Sequence, residues 1–118
     1  MYLYLNSRDE LLRLDIDKIV YFEADGNYTT IVMTNKLKNK VNCNLSQMEV
    51  LLANKLKEHS SIFMRIGKRF IVNLNYIHSV CIHKQQMVVT DCMHFAFQIP
   101  ISKDALKKVK EIIVNNSI

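Results

Sequence analysis

The sequence predicts a mostly β, α+β fold in which antiparallel strands dominate and two short helices decorate them. Two observations carry that expectation. Short apolar runs separated by turn residues fill most of the chain, and the three-and-four spacing of an amphipathic helix occurs in only two places. Composition agrees: 118 residues, 49% apolar and 23% charged, with two glycines and one proline, are those of one folded domain rather than a disordered or collagen-like chain.

Tyr2 to Leu5 reads as a strand ended by Asn6-Ser7, Leu11 to Leu14 as a second, and Ile19 to Phe22 as a third, closed by Asp25-Gly26-Asn27. Tyr28 to Met33 is β-branched and aromatic. With Thr34-Asn35 as a turn, Lys36 to Val41 returns as its hairpin partner. From Asn44 the period changes: Leu45, Met48, Leu51, Leu52 and Leu56 share a helix face, which predicts a helix near 45–57. Asn44 with Gln47 offers a capping box, and Ser46 with Glu49 competes one register later.

Strand character resumes at Ile62 to Arg65, Phe70 to Asn73, Ile77 to His83, Met87 to Thr90 and His94 to Ile99, with Pro100 as the stop. Ser102 then caps a last helix whose apolar face is Leu106, Val109, Ile112 and Ile113. No repeat, linker or low-complexity segment interrupts the order, so residues 1–118 read as a single domain.

Net charge is +5, and its distribution is informative. Residues 1–59 carry eight Lys/Arg against eight Asp/Glu, whereas residues 60–118 carry eight against three. A basic half attracts polyanions such as nucleic acid or an anionic membrane face, although mild basicity also serves solubility alone. No segment has the roughly 18 apolar residues of a membrane span, and the N-terminus lacks a signal-peptide core, so a cytoplasmic chain is expected. Cys43, Cys81 and Cys92 suit reduced thiols better than a disulfide framework.

Signatures of catalysis are scarce. Gly67-Lys68 lacks the upstream glycine of a P-loop, and two glycines cannot build a GxGxxG loop. Glu23 and Asp25, two apart at a strand end, have a spacing open to acid–base work but read better as turn and strand-end charges. Cys81-x-His83 and Cys92-x-His94 each put a thiol and an imidazole on one face of an extended segment, so four zinc ligands would converge if the segments were adjacent. The spacing is not that of a zinc ribbon or finger.

The basic residues are richer. Arg65, Lys68 and Arg69 surround Gly67 in what reads as a bend between two strands, casting long cationic side chains outward. Lys103 begins the last helix, where the macrodipole disfavours a cation; a phosphate met by free backbone N–H groups and the lysine would reverse that.

In this order the motifs IVYFEADGNYTTI (19–31), NLSQMEVLL, FMRIGKRFIVNLNYI (63–77) and IPISKDALKKVK (99–110) resemble the LytTR family of DNA-binding output domains in bacterial response regulators, over nearly the whole chain. The resemblance implies elongated antiparallel sheets with short helices, and loops rather than a recognition helix entering successive major grooves of duplex DNA, commonly at imperfect direct repeats. It places base-reading positions at Tyr28 or Thr29, at Lys68 and at Lys103. Asn27, Arg65, Arg69, Ser102 and Lys107 are then the phosphate candidates.

Many relatives have a histidine and a serine in the bend where this chain has Gly67 and Arg69, so a different base preference is expected. The resemblance implies no enzyme activity, no cofactor and no metal. Family regulators often carry a receiver domain with an acidic phosphorylation pocket, and the sequence shows none. The chain therefore reads as an output fragment or a stand-alone binder, with a second copy on DNA as its expected partner. Two other uses of the same residues remain open: a basic-faced protein- or membrane-surface module, and a metal-binding domain built on the Cys-x-His pairs.

Overall fold

In the computed structural model, which describes residues 1–117, ten strands form three antiparallel sheets joined by two α-helices. A hairpin of β1 (Tyr2–Asn6) and β2 (Leu11–Asp15) stands apart as a two-stranded sheet. The central sheet has five strands: β3 (Ile19–Asp25), β4 (Tyr28–Met33), β5 (Lys38–Val41), β6 (Phe63–Ile66) and β7 (Phe70–Asn73), in the spatial order β5-β4-β3-β7-β6. A third sheet of β8 (Ile77–Cys81), β9 (Gln86–Thr90) and β10 (Ala96–Pro100) has β9 in the middle.

The helices follow the predicted caps. The α1 helix (Leu45–Leu56) opens with a full capping box, because the Asn44 side chain accepts from the Gln47 N–H at 2.8 Å while the Gln47 side chain accepts from the Asn44 N–H at 2.9 Å. The Ser46–Glu49 alternative is not used. The α2 helix (Lys103–Asn116) starts after Ser102, whose hydroxyl accepts from the Ala105 N–H.

The central sheet is buried on both faces, which is why β3 and β7 are continuous apolar runs rather than alternating ones. On one face α1 and the β1–β2 hairpin pack Leu3, Leu14, Met48 and Leu52 against Ile19, Phe22, Ile31 and Ile71. On the other, α2 and the third sheet bring Met87, Val89, Ile99 and Leu106 against Val20, Tyr21, Val32 and Val72. A register shift between Ile19 and Tyr21 turns Val20 and Tyr21 toward the same cluster, as a β-bulge does.

Several predicted boundaries move. Thr34 to Leu37 is a turn, with Lys36 at φ 73°, so β5 begins only at Lys38. His83 lies past the end of β8. The strand expected from His94 starts instead at Ala96, because the Asp91 carboxylate accepts from the N–H groups of Met93, His94 and Phe95 and folds those residues into a turn. Pro100 belongs to β10 as its last residue; the strand is a sheet edge, where a missing N–H is tolerated.

The molecule measures 43 × 29 × 26 Å along its principal axes, which makes it elongated. Among the described residues no helix is long and apolar enough to cross a membrane.

Candidate nucleic-acid interface

The pairing of β3 with both β4 and β7 determines which loops meet. Asp25 pairs with Tyr28 across a two-residue turn, and Glu23 pairs with Phe70, so the β3–β4 and β6–β7 turns emerge at the same end of the sheet. The chain's two glycines sit in these two turns, Gly26 at φ 61° and Gly67 at φ 64°, a backbone that side-chain-bearing residues resist. The start of α2 joins them. A Cβ placed on Gly67 would lie 3.4 Å from the Ala105 Cβ, so the Gly67–Lys68–Arg69 turn rests against the first turn of that helix. Between them runs a groove of about 580 Å³, whose apolar floor includes Ile66, Phe70, Ile101 and Val109 and whose rim includes Lys68, Arg69 and Lys108.

At this end Asn27, Tyr28, Lys68, Arg69, Ser102 and Lys103 are all exposed, and Lys107 lies one helical turn beyond Lys103 on the same face. Among the described residues Lys68, Lys103 and Lys107 enter no ion pair, which leaves three cations free for an external anion. Arg69 donates to Glu23 at 3.0 Å, but its side chain is 61% exposed, so the pair is weak and can exchange its carboxylate for another oxyanion. Ser102 has its hydroxyl at the mouth of the helix, one residue before Lys103, where backbone N–H groups of the first turn also point outward. Asp104 in that turn satisfies the macrodipole that Lys103 opposes.

Two of the expected contact residues are turned toward partners within the protein. Thr29 is fully buried and its hydroxyl donates to the Cys43 carbonyl at 2.9 Å. The two-residue turn is the reason: it puts Tyr28 outward and the next residue inward. Of the pair, Tyr28 alone reaches the surface. Arg65 is the second. Its Nε donates to the Gly67 carbonyl and its Nη2 to the Lys68 carbonyl, each at 3.0 Å, and its Nη1 donates to Glu49 at 3.0 Å, so its donors are committed inside the protein rather than offered to a phosphate.

Sequence reasoning passed over Lys40 and read Glu49 only as a capping partner of Ser46. Lys40 lies 3.0 Å from the Asp25 carboxylate and 5.0 Å from the centre of the Tyr28 ring, holding that ring from the neighbouring strand. The alternation of Lys38 and Lys40 along β5 was the available signal, but only the β4–β5 register puts Lys40 opposite Thr30 and so beside Tyr28. Glu23 and Asp25 turn out as strand-end charges paired with Arg69 and Lys40.

The Cys-x-His pairs do not converge. Cys81 pairs with Gln86 at one end of the third sheet, whereas Cys92 and His94 follow Thr90 at the other. His94 Nδ1 is 2.8 Å from Asp91 Oδ2. Among the described residues no group of three or more His, Cys, Asp or Glu is placed to hold a metal. Desolvation acts to raise the Asp91 carboxyl, but the N–H groups of His94, Met93 and Phe95 and the His94 ring outweigh it and hold it far below the usual carboxylate range.

Fold and site together define a β-rich domain that presents two glycine turns and a helix start, with free cations, at one end of a buried sheet. The LytTr DNA-binding domain model matches residues 9–114, and the chain belongs to that family, whose partner is DNA. Two curated relatives from Paraburkholderia xenovorans (strain LB400), the heme-containing CO-sensing transcriptional regulators RcoM 1 and RcoM 2, are 31% and 30% identical to it over 107 residues, or 90% of this chain. The chain spans 37% of the length of each. Among solved structures, the LytTr DNA-binding domain of a methyl-accepting/DNA response regulator from Bacillus cereus has the same fold, with a TM-score of 0.66 and 21% identity over 94% of both chains.

Proposed function

We propose that this chain is the DNA-reading part of a bacterial transcription regulator, and that it enters the major groove with its turns and not with a helix face. The carrying observation is the assembly at one end of the sheet of exposed Tyr28, Lys68 and Lys103 from three separate segments. Tyr28, Lys68 and Lys103 are assigned to base edges, where a lysine donates to guanine O6 or N7. Asn27, Arg69, Ser102 and Lys107 are assigned to the phosphates beside them, contacts that position the domain without reading sequence.

The role is recognition in the cytoplasm, without chemistry on the DNA and without a cofactor in this domain. Imperfect direct repeats suit a unit that offers one reading end, since a second copy on the adjacent repeat multiplies a modest single-site affinity. Sensing or phosphoryl input, including any receiver domain, belongs to partner modules and not to the residues described above.

The test is selection of duplexes from a random pool, followed by affinity measured at rising salt. Two cations assigned to phosphates, Arg69 and Lys107, imply a log–log slope of about −2. A slope near zero, or a pool that never converges on a site, would sink the reading.

A further inference from the structure

The Arg65 side chain is only 23% exposed, against 61% for Arg69 three residues after the β6 strand. Its guanidinium faces two ways. One edge donates to the carbonyls of Gly67 and Lys68, and the remaining nitrogen donates to Glu49 Oε1 and reaches the Ser46 hydroxyl at 3.5 Å. A planar fork with five fixed donors can satisfy two carbonyls and a carboxylate together; a lysine ammonium cannot span them.

The two carbonyls belong to the first two residues of the turn. Holding them fixes the peptide planes on both sides of Lys68 and therefore the direction in which its side chain leaves the backbone. Glu49 supplies the other end of the clamp from α1, a helix anchored in the core by Leu45, Met48, Leu52 and Leu56. The turn is thus tied to a helix packed into the core through a single side chain.

We propose that Arg65, held by Glu49, is a positioning residue for DNA recognition: it aims Lys68 and does not itself bind phosphate. The inference rests on the reading of the Lys68 turn as a DNA contact. It separates cleanly from a phosphate role, because the two predict opposite responses to the same substitutions. Were Arg65 a phosphate contact, Arg65→Lys would keep the charge and most of the affinity, and Glu49→Gln would free the arginine and tighten binding. As a positioning residue it loses its geometry in Arg65→Lys and its orientation in Glu49→Gln, so both weaken discrimination.

The experiment measures the full chain and the variants Arg65→Lys, Arg65→Met and Glu49→Gln against a selected duplex and a scrambled one. Binding is followed at several salt concentrations, well below each variant's melting transition. The ratio of selected to scrambled affinity is expected to fall roughly ten-fold in Arg65→Lys and Arg65→Met, the scale of one base contact, and less in Glu49→Gln. The salt slope on scrambled duplex should match wild type. A ratio within about two-fold of wild type in Arg65→Lys overturns the proposal even if the melting temperature drops, since that is the mark of a purely structural arginine. A slope shallower by about 0.9 in Arg65→Met overturns it in favour of a phosphate contact. Loss of preference in wild type itself would instead condemn the underlying DNA reading.

Discussion

Replacing Gly67 by alanine isolates how much the β6–β7 turn depends on its backbone. At φ 64° a Cβ meets its own carbonyl, which costs about 1–2 kcal/mol. Sterics with the surroundings add nothing large, because the new atom would sit 3.4 Å from the Ala105 Cβ, an ordinary contact. Alanine also narrows the unfolded ensemble, which returns about 0.4–1 kcal/mol. The net expectation is a loss of about 1 kcal/mol, or roughly 4 °C in melting temperature for a domain of this size. Gly26→Ala is the internal control: its φ is 61° and nothing lies within 4 Å of the added atom, so it should cost the same. Gly67→Asn should cost less, since asparagine tolerates this region better. Thermal unfolding followed by circular dichroism reads all three. If Gly67→Ala melts at or above wild type, or Gly67→Asn falls as far as alanine, the conformational argument is wrong.

Four further outcomes are expected. Lys68→Ala and Lys103→Ala should each weaken binding to a selected duplex and relax preference at one position of it, as measured by competition with singly substituted sites. Thr29→Val should lower stability by about 1 kcal/mol through the lost bond to the Cys43 carbonyl yet leave base preference unchanged, whereas Tyr28→Ala should alter preference. Because the Asp91 carboxyl is depressed in the folded state, its stabilisation is full above the ordinary carboxylate pKa near 4 and is lost as pH falls below it. The acid limb of a melting-temperature profile should therefore be shallower in Asp91→Asn. Burial raises the Cys43 thiol, so mass spectrometry of a timed alkylation at neutral pH should find the exposed Cys92 modified first and Cys43 last.

The helices were legible because their signals are local: a 3.6-residue period and a cap within four residues. Strand existence was legible for the same reason, and strand ends were not. Residues 92–95 carry strand-like His94 and Phe95, but one carboxylate at Asp91 captures three of their N–H groups, a contest that composition does not reveal. Which of Tyr28 and Thr29 faces outward stayed open in the sequence, since the inward or outward sense of a whole strand hangs on whether the turn before it holds two residues or three. The orientation of Arg65 was invisible because its partner Glu49 comes from a helix sixteen residues earlier in the chain. Lys68 and Lys103 could be proposed as contacts from the resemblance of the motifs, but that they share one end of the molecule follows from long-range pairing of β3 with β7 and from the seating of α2.

Where the β6–β7 turn rests on α2, it does so at a residue with no side chain and one with a single methyl, Gly67 and Ala105. That contact sets a dimension. The interval between the two lysine-bearing segments is fixed by bodies too small to compress, and the residues at 68 and 103 that project beyond it take no part in setting it. On the proposed reading, those two can change identity without altering the spacing at which they are held, whereas a bulkier residue at 105 would change that spacing and leave both identities intact. On that reading the domain is a caliper with exchangeable tips, and new sequence preferences would arise at the tips without rebuilding the frame.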